Sequence, residues 1–184
     1  MRGKFLRGGA FLALWLLCVH AGCARQKYYD SSSLTILPGR GIPNVLELGM
    51  SLDDAKRATR DLRVERNLSR SALLVQVPSL GAGWSLVGDA TTIFEIYFYV
   101  ETGERHVEFN GPCYRGDVAG GLSFKEGHSV TRQDVVDVFG VPDDPDWDVD
   151  SHVLSYPQLG IQFSMGSNEV SSIRVVRKPP AGRA

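Results

Sequence analysis

The chain has 184 residues, 43% of them apolar, with 20 basic and 21 acidic side chains and a formal net charge of −1. That length and apolar content suit one domain or two small repeats around a real core. No block of Lys or Arg follows the N-terminal stretch, which excludes the basic footprint of a nucleic-acid binder.

Arg2, Lys4 and Arg7 precede an apolar run of nine residues, Phe11 to Val19. A bilayer span takes about 20 residues, so this run has the length of a signal-peptide core instead. Ala21-Gly22-Cys23 then resembles the end of a bacterial lipobox, where small residues admit the peptidase and the cysteine sulfur receives a diacylglyceryl group. His20 departs from that pattern, which usually has an apolar residue there. The resemblance implies a signal peptide over residues 1–22 and a lipidated Cys23 holding the mature chain in a membrane. Each buried methylene contributes about 0.8 kcal/mol, so two or more acyl chains make a lasting anchor. Ala24 after the cysteine implies, by the same resemblance, an outer-membrane location facing the periplasm. The alternatives are an ordinary cleavage near Ala24 and an uncleaved anchor. Loss of residues 1–22 leaves 162 residues with a net charge of −4. Of the three cysteines, Cys18 lies in the leader and Cys23 is the lipid site. Cys113, in Gly-Pro-Cys-Tyr, reads as a half-buried loop thiol, with a nucleophile or an intermolecular bridge as the alternatives.

Residues 23–45 read as the lipidated cysteine and a flexible tether, because Pro38-Gly39-Arg40-Gly41-Ile42-Pro43 breaks regular structure. Ser51 and Asp54 have capping-box spacing, and Leu52, Ala55, Thr59 and Leu62 share a face, which predicts a helix fading around residues 62–64. Strand signals follow at Ser71–Val77, at a short Trp84–Val87 piece within a glycine-rich stretch, and most strongly at Thr91–Val100. Glu104–Asn110 reads as a hairpin partner and residues 111–121 as a linker. Thr131 and Asp134 repeat the capping-box spacing, and Gly140 and Pro142 stop this second helix. An acidic loop over Asp143–Asp150 leads to three predicted strands, Ser151–Tyr156, Ile161–Ser164 and Glu169–Arg177. Residues 178–184 read as a disordered tail.

The two halves share this order of elements 80 residues apart, Met50-Ser51-Leu52-Asp53-Asp54-Ala55 aligning with Val130-Thr131-Arg132-Gln133-Asp134-Val135. The pattern predicts an α+β fold of two tandem helix-plus-antiparallel-sheet repeats, residues 46–110 and 122–177, with the helices packed on one face of the sheet. Ser129 to Val135 with Phe139-Gly140-Val141-Pro142, and Gly49-Met50-Ser51 in the first half, resemble the helix signature of the small outer-membrane-assembly lipoproteins (the SmpA/OmlA type). Tandem units of this shape are similar to the β-lactamase-inhibitory-protein fold. Repeat 1 departs from the signature, with Leu62-Arg63-Val64 where Gly-x-Pro would follow the helix.

Three groups of residues are candidate sites. Alternation in Thr91–Val100 puts Ile93, Glu95, Tyr97 and Tyr99 on one face and Phe94, Ile96, Phe98 and Val100 on the other. Glu95 marks the first face as the wet one. Tyr97 and Tyr99, joined by Trp84 from the preceding loop, then form a candidate protein-binding surface, because Tyr buries large area and keeps a polar tip. Burial of the same face between the repeats is the structural alternative. Asp148, Asp150 and His152 alternate onto one face of an extended segment and are a weak candidate cation site beside the simpler reading of a solvated loop. Gly83-Trp84-Ser85-Leu86-Val87 misses the hydrolase nucleophile elbow at Val87, and His106, His128 and His152 show no triad or metal spacing.

The sequence therefore reads as a lipid-anchored cell-envelope protein, not an enzyme, requiring no cofactor and acting by contact with another envelope protein. The resemblance points to outer-membrane assembly or envelope maintenance. Inhibition of an envelope enzyme, and metal or ligand binding, stand as alternatives.

Overall fold

The computed structural model describes residues 30–67, 72–87, 91–100, 112–125, 128–143 and 152–179. In chain order the strands and helices are β1 (Thr35–Ile36), β2 (Gly41–Ile42), β3 (Leu46–Glu47), α1 (Leu52–Ala58), β4 (Arg63–Asn67), β5 (Ala72–Val77), β6 (Ala82–Val87) and β7 (Glu95–Tyr99). They continue as β8 (Asp117–Val118), β9 (Leu122–Ser123), α2 (Arg132–Phe139), β10 (Val153–Tyr156), β11 (Ile161–Gly166) and β12 (Glu169–Val176).

The expectation of two helix-plus-sheet repeats is overturned. Strand dominates, the α-helices among the described residues are only 7 and 8 residues long, and the long strands form one seven-stranded antiparallel sheet in the order β10-β11-β12-β7-β6-β5-β4. The physical reason lies in β7 and β12. Each would be a bare edge if its half folded alone, with a row of unpaired backbone groups. Instead they pair with each other from Ser172↔Tyr99 to Val176↔Glu95. Helix α1 also stops earlier than its apolar pattern suggests. Thr59 turns to extended backbone, and its N–H and hydroxyl both donate to the Ala55 carbonyl, at 2.9 and 2.7 Å.

Period-two alternation sorts the sheet into a dry and a wet face. Leu154, Phe163, Ile173, Phe98, Ala82 and Val75 are buried on the dry face, one from each strand from β10 to β5. The helices cover this side: Ala55 and Val135 are buried in the same core, and Phe139 sets its ring 5.5 Å from Tyr156 and 5.4 Å from Phe163. Two minor sheets, β1-β8-β9 and β2-β3, complete the core.

The expected tether and linker are, where described, part of this fold. Ile36, Ile42, Val45 and Leu46 are all at most 5% exposed, and β1 pairs in parallel with β8. The Gly39 N–H donates to the Gly160 carbonyl at 3.1 Å. A Cβ at Gly160 would come 2.7 Å from the Gly39 Cα, so only glycine allows that approach. Tyr114, inside the expected linker, is fully buried, and its hydroxyl lies 2.9 Å from both the Leu34 and Asp117 carbonyls. The short segments fold in because their few apolar residues complete the dry face. The expected strand Glu104–Asn110 lies outside the described residues, as do residues 144–150 and 180–184.

Both helix starts are N-capped, and the full capping box that the spacing predicts forms at Thr131. Ser51 Oγ accepts the Asp54 N–H at 3.1 Å and donates to the Asp54 carboxylate at 2.6 Å. The Thr131 N–H and hydroxyl donate to Asp134 Oδ2 at 2.8 and 2.7 Å, and the Asp134 N–H returns a bond to Thr131 Oγ1. These bonds hold both carboxyls below the usual aspartate range; Arg40 does the same for Glu47, and Ser123 with Lys125 for Asp117. Depressed folded pKa values give stability that is present above the unfolded pKa and lost as pH falls through the folded one. The melting temperature should therefore stay flat from pH 7 to about 5 and fall below about pH 4. Thr131→Ala should cost about 1 kcal/mol in urea unfolding at pH 7.

Candidate functional site

The face opposite the core carries one continuous row, solvent-accessible from β10 to β7 and buried at Gly83 and Gln76. Cross-strand register places Ser155, Gln162, Arg174, Tyr97, Gly83, Gln76 and Arg63 side by side, one from each of the seven strands. Hydrogen bonds link its first half. Gln162 Nε2 donates to Ser155 Oγ at 3.0 Å, and Arg174 Nη1 donates to Gln162 Oε1 at 3.2 Å. Arg174 Nε and Nη2 both donate to Glu95 Oε2, at 3.1 and 2.5 Å. The guanidinium also lies 5.4 Å from the centre of the Tyr97 ring, a cation–π distance.

This ion pair bridges β7 and β12 and sits at the water boundary, with Glu95 and Arg174 side chains 17% and 39% exposed. Its screened energy is small. Its geometric effect is larger, because a guanidinium held by three acceptor contacts fixes the Tyr97 ring beside it. Such a locked surface loses little side-chain entropy when a partner docks. Burial first, and then the Glu95 carboxylate, raise the Tyr97 pKa, while Arg174 opposes them. Tyr97 is thus a neutral phenol at physiological pH, able to donate and accept.

Tyr97 and Tyr99 both lie on the wet face and are half-buried, Tyr99 opposite Ser172. Trp84 does not join them. It lies on the dry face opposite Val75, 1% exposed, because its glycine-flanked segment is strand β6 between β5 and β7 and not a loop. Ile93 and Phe94 also exchange their expected places: Ile93 is buried and Phe94 is 46% exposed. Regular alternation starts only at Glu95. Before it, Ile93 N–H donates to the Met50 carbonyl and Gly49 N–H to the Ile93 carbonyl, which turns this stretch toward the start of α1.

Cys23, Asp148 and Asp150 lie outside the described residues, and His152 is exposed just before β10. Among the described residues, no three His, Cys, Asp or Glu side chains gather as a metal site would require. Ser85 sits within an extended strand, away from any strand-to-helix elbow. Cys113 is half-buried. A small recess of about 120 Å³ at the end of β7 is lined by Val100, Phe124, Val130 and Val170 together with Arg115, His128 and Glu169. No family model, no curated protein and no solved structure matches the chain.

Arg174 and Gln162 are the site residues that sequence reasoning missed. A usable signal was present: Glu95 is the one charge within β7, and Arg174 stands between Ile173 and Val175 in β12, so two opposite charges interrupt apolar stretches. Their mutual dependence is measurable by titrating ring-labelled Tyr97 by NMR. Glu95→Gln should lower its pKa toward 10, and Arg174→Gln should raise it further.

Proposed function

We propose that this chain is a lipid-anchored envelope lipoprotein that acts by protein–protein contact through the wet face of its sheet, centred on Tyr97 and Tyr99. One observation carries the reading. Half-exposed tyrosines stand beside a hydrogen-bonded Ser155–Gln162–Arg174–Glu95 network on a sheet face that keeps solvent access, while the opposite face forms the core. Tyr and Arg are the residues that dominate protein interfaces, through their large area and planar hydrogen bonding.

The leader supports the location. The basic n-region, the short apolar run and Ala21-Gly22-Cys23 make Cys23 the anchor. The described fold starts at Asp30, seven residues later. A chain of that length reaches at most about 25 Å, so the domain works close to the membrane, and an outer-membrane site facing the periplasm follows from Ala24. The resemblance to outer-membrane-assembly lipoproteins makes an assembly-machinery subunit the first partner to seek. A second reading is inhibition of an envelope enzyme, favoured by the pre-ordered row, since rigid surfaces suit tight inhibitors. Either partner would be a protein, and the chain itself would carry no catalytic or cofactor chemistry.

Affinity capture from native membranes with the lipidated protein should recover a defined envelope partner. Tyr97→Ala with Tyr99→Ala should weaken that complex by about 10-fold or more, as loss of interface hot spots does. Cys23→Ser should release the protein from the membrane and leave its affinity for the isolated partner intact. Unchanged affinity in the double alanine variant would end the assignment of this face.

A further inference from the structure

The two edges of the main sheet differ. At the β10 edge the Asp143 N–H donates to the Ser155 carbonyl, so a neighbouring segment already occupies part of it. At the β4 edge, Arg63, Val64 and Glu65 are exposed and, among the described residues, their backbone pairs only with β5. Among the same residues, neither Arg63 nor Glu65 has an ion-pair partner. Val64 is 41% exposed although its neighbour Val75 is fully buried.

We propose that β4 is a self-pairing edge, and that two copies of this chain join through it about a twofold axis at Val64. Residues directly opposite in an antiparallel pair lie on the same face and within contact distance. Centring the pair on Val64 sets Arg63 of one copy opposite Glu65 of the other, twice, and Val64 opposite Val64. The two charges that would repel most other strands from a bare edge become complementary in this one register. Both charges gain partners, and the exposed valine is covered. The twofold axis runs perpendicular to the sheet, so the two wet faces point the same way and the seven strands of each copy continue into one another. A shared orientation also lets two anchors enter one membrane.

The test uses the lipidated full chain in detergent, its mass followed by native mass spectrometry across a concentration series. The wild type should form a dimer. Arg63→Glu and Glu65→Arg should each weaken it by about 10-fold, because each creates two like-charge pairs. The double variant R63E/E65R should return to within about threefold of wild type, since it restores opposite charges at both places. Val64→Cys provides an independent readout, because antiparallel partners at this spacing can close a disulfide between copies on mild oxidation. A wild type that stays monomeric, a dimer indifferent to both single reversals, or a double variant no better than the singles would overturn the proposal.

Discussion

Strand β12 meets β7 over five residue pairs, and this junction joins two groups of strands that are far apart in the sequence. Without it, β7 and β12 would each expose an unpaired edge and a half-covered row of Ile, Val and Phe. With it, Ile96 and Phe98 lie beside Val175 and Ile173 in one apolar face, all four fully buried. At about 25 cal/mol per Å² of apolar surface, burying each such side chain contributes roughly 1.5–3 kcal/mol. The same pairing puts Arg174 beside Tyr97 and within reach of Glu95 on the other face. Core and candidate surface are thus two sides of one set of backbone hydrogen bonds.

The junction also explains the parts that sit around it. Beside a seven-stranded sheet, the helices among the described residues have only 7 and 8 residues, each with one fully buried side chain, Ala55 and Val135. The chain supplies further cover from its N-terminal arm and from the stretch around Tyr114, pinned by the close approach of Gly39 to Gly160 and by the buried tyrosine hydroxyl. The proposed anchor sets a distance: a lipid on Cys23 would lie within about 25 Å of Asp30, whatever path the intervening residues take.

Local chemistry was legible in the sequence. Ser51 and Thr131 cap helices because a hydroxyl three residues before a carboxylate, at the head of an apolar periodic run, satisfies the free N–H groups of the first turn. Alternation in β7 placed Tyr97 and Tyr99 on the wet face. Long-range pairing was not legible. A repeat of element order says nothing about whether β7 meets β12, and the two-repeat expectation failed there. Trp84 was misread because glycines flank it, yet a strand between two others tolerates glycine where backbones pack closely. Ile36 and Ile42 were misread because Pro and Gly dominate their neighbourhood, and short bridges leave no periodic signal. Arg174 and Glu95 could have been found by asking which opposite charge would neutralise Glu95, the one charge within β7, and Arg174 flanked by Ile173 and Val175 offers it.

The most direct test of the central claim is a photo-crosslinking residue at Tyr99 in the lipidated protein, activated in native membranes. A single envelope protein captured at this position, and not at the buried Trp84 position used as a control, is the result expected of a docking face. No adduct at position 99, with membrane attachment and folding verified, would contradict the docking role and leave the wet face as solvent-facing surface alone.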